Sequence, residues 1–198
     1  MTRTIDVSHL PDHAFGPRAL TWWGTTGFMV IEGTVFALAA ASLLYLRGLS
    51  PNWPPSTAPP SLFWGSLNTL VLALSGIPNQ LTKRAAERED LPAAKRWLSL
   101  CLVFGVAFCA IRAMEFRVLN VAWYTNAYGS IVWVLLGLHT FHVLTDVLDS
   151  AVLRLMLSYA PFKSTMFANT SENSLYWYFV LALWIPVYVL IYLLPLAH

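Results

Sequence analysis

The chain has 198 residues, of which 57% are hydrophobic and 11% charged, with a formal net charge of +2. Soluble domains average about 25% charged residues, so this composition excludes a soluble globular protein, and so small a charge gives no basis for nucleic-acid binding. Nine Trp and eight Tyr suit the aromatic belts at the two edges of a bilayer. The expectation is an all-α integral membrane bundle of five transmembrane helices.

Residues 1–20 are polar and irregular. Pro11 and Pro17 argue against a long helix there, and the stretch lacks the apolar core of a cleavable signal peptide. The membrane domain is expected over 21–198. Its first span, 21–46, exceeds the roughly 20 residues needed to cross a bilayer. Trp22 and Trp23 can anchor its start, and Glu32 falls near its middle. Gly33, Ala37 and Ala41 form a row of small residues that would admit a neighbouring helix. A connector with five prolines follows, LSPNWPPSTAPP, which reads as an ordered extramembrane loop. The second span, 61–80, repeats the small row at Gly65, Thr69 and Ala73, and Pro78 should limit or kink its far end.

The charged block 83–96, KRAAEREDLPAAKR, reads as a short cytoplasmic helical hairpin. The third span, 97–120, places Arg112 and Glu115 one turn apart near its exit, as an ion pair at the membrane edge. Cys101 and Cys109 lie eight apart on the same helix, too far for a disulfide, and read as packing residues. The fourth span runs over 126–157, and the fifth, 175–194, is broken by Pro186. With the 83–96 loop inside, Arg3, Arg18, Lys163 and Arg154 fall on the same side, while Arg47 and Arg117 remain outside. That bias puts the N-terminus in the cytoplasm and the C-terminus outside.

The fourth span holds the chain's most unusual pattern. Steps of three, four and three join His139, His142, Asp146 and Asp149, so they share one helical stripe. Ionisable groups at membrane depth are costly unless they meet partners, so this stripe should face protein or water. Bis-histidine haem needs ligands from opposite sides of the porphyrin, whereas the only membrane histidines are neighbours on one helix; His9, His13 and His198 lie near the termini. Carboxylate-bridged di-metal sites use Glu-x-x-His motifs, and this chain has Glu32 and Glu115 but no such motif. Neither haem nor metal is therefore expected here. Glu32 can be read as a proton carrier, because a carboxylate buried in a membrane can change charge near neutral pH. It can equally be read as the partner of a fourth-helix histidine that fixes the bundle. Asp146 and Asp149 should sit near the cytoplasmic end, where solvation is cheap. No phosphate loop, nucleophile triad or substrate gate is present, and no catalytic residue is assigned.

Taken in order, these pieces resemble subunit III of the haem–copper terminal oxidases. Tyr128-Gly129-Ser130 and Gly137-Leu138-His139-Thr140-Phe141-His142-Val143 are similar to that family's Tyr-Gly-Ser and Gly-Phe-His-Gly-x-His-Val runs. Trp23-Gly24 with Glu32, Trp53-Pro54-Pro55, Asn68-Thr69 with Ser75-Gly76, Glu115-Phe116, and Tyr176-Trp177 with Trp184 resemble further family patterns. The resemblance covers roughly residues 20–190 and is to the shorter, five-helix members. Thr140 and Asp146 stand where Gly is usual, Arg112 where Gln is, and Tyr178 and Leu181 where His and Asp are. The chain is thus identified as a divergent member.

The resemblance implies a subunit of an oxidoreductase complex with no redox centre of its own. It would pack against the catalytic subunit I, beside subunit II, with haem and copper in those partners. The complex would reduce O₂ to water and translocate protons in a bacterial inner membrane. Glu32 would be the family's intramembrane glutamate, and His139 and His142 its histidine pair. Phospholipid is the one ligand that the resemblance implies for this chain. Two alternatives stay open: an accessory subunit of a nitric-oxide reductase, and a free-standing proton carrier or transporter using Glu32, His139 and His142. Five helices without an inverted repeat disfavour the last. Whether cytochrome c or quinol donates the electrons is read on another subunit.

Overall fold

The computed structural model describes residues 14–55, 57–159 and 164–196. His9, His13 and His198, together with Arg3 and Lys163 of the charge count, lie outside them. The described chain is built on α1 (Leu20–Leu49), α2 (Leu62–Glu87), α3 (Leu91–Arg117), α4 (Ala127–Tyr159) and α5 (Thr165–Tyr188). A 3₁₀ turn, Gly16–Arg18, precedes α1; a π-helical turn, Val189–Leu193, and a 3₁₀ turn, Leu194–Leu196, extend α5. No strand occurs among the described residues.

The charged block forms the corner between α2 and α3. Glu89 adopts a left-handed φ of 57°, and the Asp90 carboxylate caps α3 by accepting from the Ala93 N–H at 3.0 Å. Pro92, in the first turn of α3, forfeits only an N–H that has no intrahelical partner there. The hairpin α2–α3 packs on the rest through α2 against α5 and α3 against α4, while α4 and α5 pack on each other. The first helix lies outside this group, against α4 and α5. Its only buried side chains are Phe36 and Leu43; Phe28, Val30, Ile31 and Leu38 are exposed. An apolar helix with so little of itself buried needs lipid or another subunit around it.

Among the described residues four helices are long and apolar enough to cross a membrane: α1, α3, α4, and α5 with its extension to Leu196. The second helix has the length, at 26 residues, but a polar inward face of Asn68, Ser75, Asn79 and Thr82.

Three sequence expectations need correction. The last helix begins at Thr165, ahead of residue 175, because its polar first turns are buried: Thr170, Ser171, Glu172, Asn173 and Ser174 find partners on other helices or on their own backbone. Pro78 does not end α2, which continues to Glu87, whereas shortly after Pro186 the α-helical pattern of α5 gives way, past Tyr188, to the π-helical turn Val189–Leu193. Of the small row of α1 only Gly33 meets a neighbour, Phe179 of α5. Ala37 and Ala41 are exposed, and the inward row is Glu32, Phe36, Ala39 and Leu43. In α2 the close approach is at Gly65, where an added Cβ would stand 2.7 Å from the Tyr192 ring.

Candidate functional site

Three polar seams run through the bundle, beside further contacts such as Trp177 to Ser75 and Tyr178 to Gln80. The first joins α1 to α4 and α5. His142 Nε2 lies 3.0 Å from Glu32 Oε1, and the Tyr176 hydroxyl donates to Glu32 Oε2 at 2.7 Å. On the other side of the ring, His142 Nδ1 meets the Leu138 carbonyl at 2.6 Å. A carbonyl only accepts, so Nδ1 carries a hydrogen. Nε2 and Oε1 would then be two acceptors in contact unless a proton stands between them. The pair is either imidazolium with carboxylate or imidazole with carboxylic acid, and both forms hold one transferable proton on the α1–α4 seam.

The second seam joins α4 to α5. Asn173 Nδ2 donates to Asp146 Oδ1 at 2.9 Å and to Asp149 Oδ2 at 3.1 Å, while its Oδ1 accepts from the Ser150 hydroxyl at 3.0 Å. Asp146 is 2% exposed, which corrects its expected place in cheap solvation; Asp149 alone of the stripe is exposed. Across from them, Glu172 accepts from the Thr21 hydroxyl at 2.6 Å, tying the start of α5 to the start of α1. Between α1, α4 and α5 lies a cavity of about 700 Å³. Glu32, Asp146, Asp149 and Glu172 line it, beside apolar Phe28, Phe141, Leu153 and Met156.

The third seam is the centre of the bundle. Arg112 Nη1 donates to Glu115 Oε1 at 3.0 Å, and both residues are buried. Glu115 also accepts from Asn68 Nδ2 at 2.7 Å and from the Tyr192 hydroxyl. The guanidinium lies over Trp184 at 4.2 Å and Phe108 at 5.0 Å, cation–π contacts worth about 2 kcal/mol when desolvated. The pair is buried within the bundle, under Asn68 of α2, Trp184 of α5 and Tyr192 of its extension. His139 Nε2 donates to the Val180 carbonyl of α5 at 3.1 Å, and its ring packs 4.9 Å from that of Trp184.

The His139–Asp149 stripe is therefore divided among neighbours: His139 serves α5, His142 serves α1, and Asp146 serves Asn173. Asn173, Tyr192 and Glu172 are polar partners that the sequence reading did not single out. Nothing in their local pattern marks them, since each gains its role from a helix far away in sequence. Cys101 and Cys109 are free thiols.

Long apolar helices joined by polar seams define a multi-pass helical membrane protein. The sequence profile of the cytochrome c oxidase subunit III family matches residues 19–195. Among curated relatives, the cytochrome c oxidase subunit 3 of Thermostichus vulcanus is 26% identical over 92% of this chain and 92% of its own length. That of Synechocystis is 26% identical over 98% of this chain and 85% of its own. That of Corynebacterium diphtheriae is 32% identical over 83% of this chain and 87% of its own. The chain belongs to the cytochrome c oxidase subunit III family.

Proposed function

We propose that this chain is the five-span subunit III of a bacterial respiratory haem–copper terminal oxidase. It packs against the catalytic subunit I beside subunit II, with its N-terminus inside the inner membrane and its C-terminus outside. Haem and copper belong to those partners, and this chain performs no redox step. The names of its relatives favour a complex oxidising cytochrome c. The second helix counts as a span in this reading because α3 and α5 cover its polar face. Lipid, with the partner subunits, would cover the exposed apolar residues of α1 and α4.

The observation that carries a role beyond packing is the Glu32–His142 contact at 3.0 Å with its one transferable proton. Glu32 lines the cavity between α1, α4 and α5 together with Asp146, Asp149 and Glu172. In this reading the subunit holds subunit I in its working form and buffers its proton supply. Gentle solubilisation followed by identification of what co-purifies tests the assignment. Recovery with haem–copper subunits I and II supports it; recovery with nitric-oxide reductase subunits, or as an isolated monodisperse protein, overturns it.

A further inference from the structure

The central seam leaves buried polar atoms unpaired around the Arg112 guanidinium. Arg112, Asn68 and His139 are each 0% exposed. Arg112 commits Nη1 to Glu115. Its Nε and Nη2 form one edge of the guanidinium plane, with N–H bonds pointing the same way, and neither meets an acceptor in the chain. Asn68 donates through Nδ2 to the Glu115 carboxylate, so its other amide atom, Oδ1, is an acceptor, and it too has no partner. His139 Nε2 donates to the Val180 carbonyl, which leaves Nδ1 of the neutral ring as a second unpartnered acceptor.

These groups are neighbours. Arg112 and Asn68 hold the two oxygens of one carboxylate, Oε1 and Oε2 of Glu115. Arg112 and His139 pack on the same two rings. The guanidinium carbon lies 4.2 Å from the Trp184 centroid and 5.0 Å from that of Phe108, and the imidazole 4.9 and 5.7 Å from them. The guanidinium charge is also felt at the imidazole. Two donors thus stand among two acceptors without touching them.

Their chemistry selects the occupant. An anion on the Arg112 edge would face both acceptors and the Glu115 carboxylate, and a metal ion would face the guanidinium. Water can accept from Nε and Nη2 and donate to Nδ1 and Oδ1. Internal waters make about three hydrogen bonds to buried groups that would otherwise go unsatisfied. We propose that the centre of the bundle holds buried water, a single molecule or a linked pair, accepting from the Nε–Nη2 edge of Arg112 and donating to His139 Nδ1 and Asn68 Oδ1. The site joins α2, α3 and α4 directly, and α5 through the bond from His139 to Val180. It rests on this chain's own side chains and stands apart from the proton role of Glu32.

The test is a cryo-electron microscopy map of the intact detergent-solubilised complex, at a resolution that shows other ordered waters in its membrane-spanning core. The expected result is density within hydrogen-bond distance of Arg112 Nε and Nη2 and of His139 Nδ1, unchanged when chloride is exchanged for bromide. The double variant Arg112→Met/Glu115→Gln removes both donors without stranding a charge, and its map should lose that density. Four outcomes would overturn the proposal. They are no density at the Arg112 edge, protein atoms closing on Nε and Nη2 in place of solvent, density that strengthens in bromide and so marks an anion, and density that survives in the double variant. The wild-type maps decide even if the double variant fails to assemble.

Discussion

His142 reaches across from α4 to Glu32 on α1 with 3.0 Å between Nε2 and Oε1, while its other nitrogen is committed to the Leu138 carbonyl. With the Tyr176 and Thr21 hydrogen bonds it ties the outermost helix to the bundle, and it holds a proton in doing so. Glu32→Gln preserves the geometry, because the amide can donate to a neutral Nε2 and still accept from Tyr176. The complex should therefore assemble normally but lose turnover lifetime and proton uptake under load. Glu32→Leu strands both partners and should in addition lower stability by about 1–3 kcal/mol. Unchanged pumping and lifetime in Glu32→Gln, measured in reconstituted vesicles, would leave the residue a purely structural role.

Arg112 and Glu115 form a buried pair whose members depend on each other. Arg112→Met alone should cost about 3–5 kcal/mol, since it leaves an uncompensated buried carboxylate. Adding Glu115→Gln should restore much of that loss. Assembly yield and Tm of the two single variants and the double variant form a thermodynamic cycle. Strict additivity would mean that the pair is not coupled.

Gly65 lies under Tyr192, which donates to Glu115. Gly65→Ala should push the phenol away and destabilise by about 1–3 kcal/mol through overpacking. Gly105→Ala should behave likewise, because its Cβ would run into Val147 and the Trp177 ring. Gly137→Ala meets nothing within 4 Å and should be neutral. Comparing the thermal stability of the three variants separates a packing effect from a general intolerance of glycine replacement.

Orientation is open to a direct measurement. A cytoplasm-active reporter inserted in the α2–α3 corner at residues 88–90, and an externally active one fused after His198, should both give signal. Activity of a cytoplasmic reporter at His198 would reverse the assigned topology or remove a span.

Much of this protein is legible from composition and spacing. Long apolar runs dictate helices because a bilayer offers no other partner for backbone N–H and C=O groups, and the ordered motifs carry the family resemblance. Local chemistry also marks the α2–α3 corner, where Asp90 and Pro92 are both within three residues of the helix start they define. The start of α5 is another matter. Thr165–Ser174 is too polar to read as membrane helix, and only burial against Glu87, Asp146, Asp149, Ser150 and Thr21 makes it one. The same holds for the stripe on α4. Its spacing shows that His139, His142, Asp146 and Asp149 project from one side, but a helix side is wide enough to touch three neighbours. Which neighbour each residue meets is set by the tertiary packing, because its partners lie on α1 and α5, far off in sequence. The sequence determined that these groups need partners; the fold decided that Glu32 would meet His142, that the Val180 carbonyl would take one nitrogen of His139, and that one oxygen of Asp146 would be buried without a partner.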